Sequence, residues 1–215
     1  MQTLTFSNQV ITKKSSRSFR SVSVGILILL AYSMLIFDVS GNVPFGAAAD
    51  IISGLAVIGI AALMFPLFSR DRNGTTSRLN GNKFLNGAYL ICKIVEGLLM
   101  IAGGLFLLTT ATSEYRGLIY DNIHIYFFIA GALLFYFLLY QSKLVPRGLS
   151  LWGLIASVAL LAVTIVRLIG FDHESLNAIL LPIVGNEFAL AIWLMVKGLT
   201  NQSGTLNDTG KRISS

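Results

Sequence analysis

Leu151–Val166 reads LWGLIASVALLAVTIV, a run without one charged side chain. Apolar residues fall on every face of the helix it would form. The apolar/polar alternation of a membrane barrel strand is absent. In hydrocarbon every backbone N–H and C=O must be paired, and an open segment achieves this only as a helix. Extended to Leu149–Ile169, the stretch reaches the roughly 20 residues that cross a bilayer.

Working outward, five more segments have the same character: Val22–Val39, Ala47–Phe68, Leu85–Thr110, Ile123–Tyr140 and Leu176–Val196. The connections are short. Gly41–Gly46 (GNVPFG) contains turn formers, and Ser142–Gly148 carries Pro146, which suits a helix start. Ser69–Lys83 is the longest loop and is rich in Gly, Asn, Ser, Thr and Arg. The expected fold is an all-α polytopic bundle of six transmembrane helices over residues 22–199. A basic cytoplasmic segment (1–21) precedes it, and a disordered cytoplasmic tail (200–215) follows.

Composition excludes other classes. Charged residues make up 12% of the 215, about half the usual soluble share, while 54% are hydrophobic. So few charges cannot cover a soluble domain. A disordered chain and a disulfide-rich module are excluded as well, the latter because Cys92 is the sole cysteine. The net charge of +6 comes from short segments between apolar runs, so membrane topology explains it without a nucleic-acid partner.

Those charges also orient the chain. Lys13, Lys14, Arg17 and Arg20 precede the first span, and Arg70, Arg72, Arg78 and Lys83 follow the second. Lys143 and Arg147 follow the fourth span, and Lys197, Lys211 and Arg212 follow the sixth. With six spans all of these share one side. The opposite side holds Arg116, Arg167 at its edge, and the acids Asp38, Asp50, Glu114, Asp121, Asp172 and Glu174. Both termini are therefore expected in the cytoplasm. An alternative reading takes the first apolar stretch and Ala47-Ala48-Ala49 as a cleavable signal peptide. The length of that stretch favours an uncleaved helix.

Three ionisable residues remain inside spans. Lys93 and Glu96 lie three apart on one face of the third helix, and Glu187 lies in the sixth. At about 1.5 Å per residue, Glu96 is about 17 Å from the inner end of its span and Glu187 about 16 Å from the outer end of its own. Charges at that depth face the bundle interior and pair. Lys93, Glu96, Glu187 and the neighbouring Asn186 thus form a candidate buried polar cluster, with Pro182 expected to kink the sixth helix beside it. Fully ionised, the three charges sum to −1. A proton on one carboxyl, or a cationic solute, would balance them. The alternative is a structural ion pair that fixes the register of two helices.

A second group, Asp121, His124, Arg167 and His173, is expected as a solvated outer rim. Two histidines on different helix ends make no recognisable metal set, and no metal or other cofactor is expected. No HExxH or GxSxG motif occurs, and no glycine pattern follows a strand. Gly54, Gly59, Gly97, Gly103 and Gly104 are read as points of close helix contact.

Several motifs together resemble a known family. Leu138–Leu154 reads LLYQSKLVPRGLSLWGL, Leu180–Leu199 reads LLPIVGNEFALAIWLMVKGL, and Met64–Phe68 reads MFPLF. Lys93–Glu96 (KIVE) stands where relatives often carry Arg-x-x-Glu. From Ala47 to Leu199 the chain resembles the bacterial integral membrane family called domain of unknown function 4386. Lys93 departs from the pattern by keeping the charge and losing the bidentate fork. The resemblance implies six membrane helices in a bacterial inner membrane, and it implies no activity.

Three function classes follow. The polar cluster binds or translocates a proton or small solute; or the chain is a structural or regulatory membrane protein; or, least supported, an intramembrane enzyme uses the outer rim. The lipid bilayer is the expected partner, with a proton or small solute as a further candidate. A homo-oligomer is compatible with the sequence.

Overall fold

Among the residues described, every regular element is helical. The computed structural model describes residues 19–33, 35, 41–69, 76–110, 113–170, 176, 178–179 and 181–199. The N-terminal segment up to residue 18, the tail from residue 200, and His173 lie outside them.

The helices are α1 (Phe19–Ala31), α2 (Val43–Phe68), α3 (Thr76–Thr110), α4 (Ser113–Ile119), α5 (Ile125–Ser142), α6 (Arg147–Leu168) and α7 (Leu181–Val196). A π-helical turn, Tyr120–His124, joins α4 to α5, so one apolar rod runs from Glu114 to Ser142. Four helical stretches are long and apolar enough to cross a membrane: Val43–Phe68, Lys83–Thr109, Glu114–Ser142 and Arg147–Leu168. Phe19–Ala31 and Leu181–Val196 are apolar and shorter. Large apolar side chains such as Ile91, Leu98, Ile155, Leu181 and Ile192 are more than half exposed, as a lipid-facing surface requires. The chain is therefore a multi-pass helical membrane protein.

Local sequence explains where the helices start and stop. Pro44 sits in the first turn of α2, where its missing N–H has no partner to lose. Lys143 adopts a left-handed conformation (φ 53°) and closes α5, and Pro146 precedes the first residue of α6. Pro66 lies inside α2, which ends two residues later. Asn86 of α3 secures that end by donating to the Phe65 carbonyl at 2.9 Å and the Ser69 hydroxyl at 2.7 Å.

Pro182 corrects the sequence expectation. It stands in the first turn of α7, because the helix begins at Leu181 rather than near Leu176. There it starts the helix instead of kinking it. Glu187 consequently lies about 9 Å from the start of α7, and not about 16 Å.

The helices close into a ring. α2 and α3 share the most extensive contact, followed by α5 with α6, α3 with α5, and α6 with α7. α1 completes the circuit. Its Gly25 lies against Ala191 and Met195 of α7, and its Leu27 meets Gly59 of α2. The α2–α3 crossing depends on glycine. A Cβ on Gly54 would sit 2.5 Å from the Gly97 carbonyl oxygen, and one on Gly97 would sit 2.6 Å from that of Gly54. Gly104 similarly admits the Ala47 carbonyl at 2.7 Å, whereas Gly103 makes room for the Tyr120 ring.

Candidate functional site

A cavity of about 850 Å³ lies inside the ring, lined by residues from α1, α2, α3, the π turn, α5, α6 and α7. Each helix offers one stripe to it. On α3 the stripe is Tyr89, Lys93, Glu96 and Met100, spaced by three or four as one helix face demands. On α7 it is Ile183, Val184, Glu187 and Leu190, and on α5 it includes Phe128, Ala132 and Phe135.

The charged centre is built on α3. Lys93 Nζ donates to Glu96 Oε2 at 2.8 Å, and the ammonium lies 5.2 Å from the centroid of the Phe128 ring. Gly131 of α5 permits this arrangement. A Cβ there would fall 3.0 Å from Lys93 Cε and 3.3 Å from Glu96 Oε2. Lys93 and Glu96 are both buried. Glu187 faces the same cavity from α7 and makes no ion pair among the described residues. Lys93 attracts its carboxylate through space, and Glu96 repels it. The Tyr32 hydroxyl approaches Glu187 without closing a hydrogen bond of standard geometry. The Tyr89 hydroxyl, on the same lining, is buried with no hydrogen-bond partner among the described residues.

Asn186 is not part of this group. Successive helical residues point about 100° apart, and Asn186 is turned away from the cavity. It packs with Tyr136 against Gly153 of α6, where a Cβ would lie 2.5 Å from Asn186 Nδ2. The Tyr136 hydroxyl neighbours the Asn186 amide, again without standard hydrogen-bond geometry.

The outer group departs from expectation in part: Asp121 is exposed, as a solvated rim requires, but His124 is not. Asp121, His124 and Arg167 line the same cavity as Lys93 and Glu187. His124 is buried, not solvated. Its ring lies 4.8 Å from Tyr120 and 6.3 Å from Phe128, and Nε2 has no hydrogen-bond partner among the described residues. The π turn Tyr120–His124 carries Tyr120, Asp121 and His124 onto the lining from between α4 and α5. Among the described residues no three His, Cys, Asp or Glu side chains converge as a metal set.

A second buried ion pair escaped the sequence reading. Asp50 of α2 has no exposed surface and receives two hydrogen bonds from Arg116 of α4. Nε donates to Oδ2 at 2.6 Å and Nη2 to Oδ1 at 2.9 Å. The guanidinium also stacks 4.7 Å from the centroid of Tyr120. Both residues had been assigned to the outer side by charge alone. Their pairing spans 66 residues and has no local signal. Tyr89 was equally overlooked, yet it did have one, since it stands four residues before Lys93 on the same face.

A family model described as Domain of unknown function (DUF4386) matches residues 30–198. No curated protein and no solved structure matches the chain.

Proposed function

The chain belongs to the domain of unknown function 4386 family, and from that premise we propose that it binds, and carries across the bacterial inner membrane, a proton or small solute held at Lys93, Glu96 and Glu187. One observation carries this reading: ionisable groups from separate helices face one cavity of about 850 Å³, a volume within the range of small-molecule sites. The cytoplasmic position of both termini belongs to the same proposal, supported by the basic residues that flank the spans on one side.

The structural alternative needs an ion pair that joins two helices. Lys93 and Glu96 are three residues apart on one helix, so their bond ties α3 only to itself. The cross-helix role falls to Asp50 and Arg116. That leaves a buried charge pair and a further acid on a cavity wall, an arrangement costly to keep unless it is used.

The double variant Lys93→Leu/Glu187→Leu tests the reading. It should fold, as judged by its melting curve in detergent, and fail to replace the wild-type gene in the native host. Native mass spectrometry should show a small solute on the wild type and none on the variant. Full complementation by the folded double variant would overturn the proposal.

A further inference from the structure

We propose that the cavity takes a lipophilic organic cation, its charge set against Glu187 and its body against the aromatic and aliphatic wall; the inference rests on reading the cavity as a solute site. The charges come first. Lys93 is already committed to Glu96 at 2.8 Å. Glu187 has no ion pair among the described residues, and Lys93 is the base whose field reaches it. The three groups together leave one negative charge without a counter-charge, so a monovalent cation completes the set. Beside Glu187 an anion would have to break the Lys93–Glu96 bond and would face two carboxylates. Arg167 and Asp121, also on the lining, offset each other in charge and leave the deficit of one unchanged.

The wall then selects the kind of cation. A bare metal ion wants several oxygen ligands, and no described cluster supplies them. Around Glu187 and Lys93 the lining is instead Tyr32, Tyr89, Phe128, Phe135, Ile183 and Leu190. Ring faces attract cations, most strongly where water is excluded, and Phe128 already does so for Lys93 at 5.2 Å. Aliphatic side chains suit an apolar body. The buried hydroxyls of Tyr32 and Tyr89, which lack hydrogen-bond partners among the described residues, can accept from an ammonium N–H. The volume of about 850 Å³ accommodates a molecule of drug size.

Two ions of matching shape and opposite charge provide the test. Equilibrium dialysis of the purified full chain would compare tetraphenylphosphonium with tetraphenylborate. The proposal expects saturable binding of tetraphenylphosphonium at one per chain, with tetraphenylborate much weaker. Glu187→Gln should lower affinity for the cation about thirtyfold or more, and Glu187→Asp should retain most of it. Equal binding of both ions, unchanged by Glu187→Gln, would overturn the cationic class and leave the solute-site reading standing. No saturable binding of either ion to the folded wild type overturns the cation proposal. Full complementation by the Lys93→Leu/Glu187→Leu double variant would show separately that the underlying reading has failed.

Discussion

Asp50 is a carboxylate with no exposed surface, held in two hydrogen bonds by Arg116, whose side chain is 14% exposed. In such a place the carboxylate depends on its partner's charge. Removing Arg116 strands the Asp50 carboxylate in a low-dielectric interior, and the cost is about 3–5 kcal/mol. Arg116→Ala should lower the unfolding free energy in detergent by about that amount, and Asp50→Ala by somewhat less, because Arg116 is partly exposed and also lies over the Tyr120 ring. The double variant Asp50→Leu/Arg116→Leu should recover much of the loss. Single variants within about 1 kcal/mol of the wild type would mean that water reaches the pair. The same residue-scale view separates Glu187 from Asn186. They are neighbours in sequence, yet one lines the cavity and the other packs on Gly153. Sequence proximity placed them together; the rotation of the helix put them on different faces.

At the scale of elements, α2 and α3 approach until glycine Cα atoms face carbonyl oxygens. The oxygens that an added Cβ would meet at 2.5 Å and 2.6 Å belong to backbone, which cannot swing aside as a side chain can. Gly54→Ala and Gly97→Ala should each push the helices apart and destabilise the bundle by about 1–3 kcal/mol. Gly87→Ala, on the same α3, meets nothing within 4 Å. It should be neutral or stabilising by about 0.5–1 kcal/mol, because alanine restricts the unfolded chain and favours helix. Thermal melting of the three variants checks the contrast, and equal losses at all three positions would contradict it. The π turn belongs to this scale too. It has no signal in the hydrophobic pattern, which only begins its apolar run at Ile123, inside the turn. Its Asp121 and His124 line the cavity that Lys93 and Glu187 share.

For the whole molecule, the charge distribution makes a prediction about sidedness. In a Cys92→Ser background, a cysteine at Ser142 should resist a membrane-impermeant maleimide in intact spheroplasts and react in inverted vesicles. A cysteine at Asn122, which is exposed, should show the opposite pattern. Reversed labelling would invert the proposed orientation. The ring of helices gives the cavity walls contributed from α1, α2, α3, α5, α6 and α7 as well as the π turn. Perturbing any one wall should therefore alter occupancy, whereas lipid-facing positions such as Ile155 should tolerate exchange for other apolar residues.

The sequence by itself determined the class of molecule, the positions of the apolar segments and the shared face of Lys93 and Glu96. These depend on local quantities: hydropathy over about 20 residues and a period of 3.6 residues. Tyr89 was within reach of the same period. Only the tertiary structure decided which helices become neighbours. That decision paired Asp50 with Arg116, turned His124 inward, set Pro182 at a helix start, and brought Glu187 to the wall that Lys93 faces. Segments that are apolar on every face do not encode which side meets lipid and which meets protein. Glycine contacts and buried charges supply that choice, and they act between residues far apart in the chain.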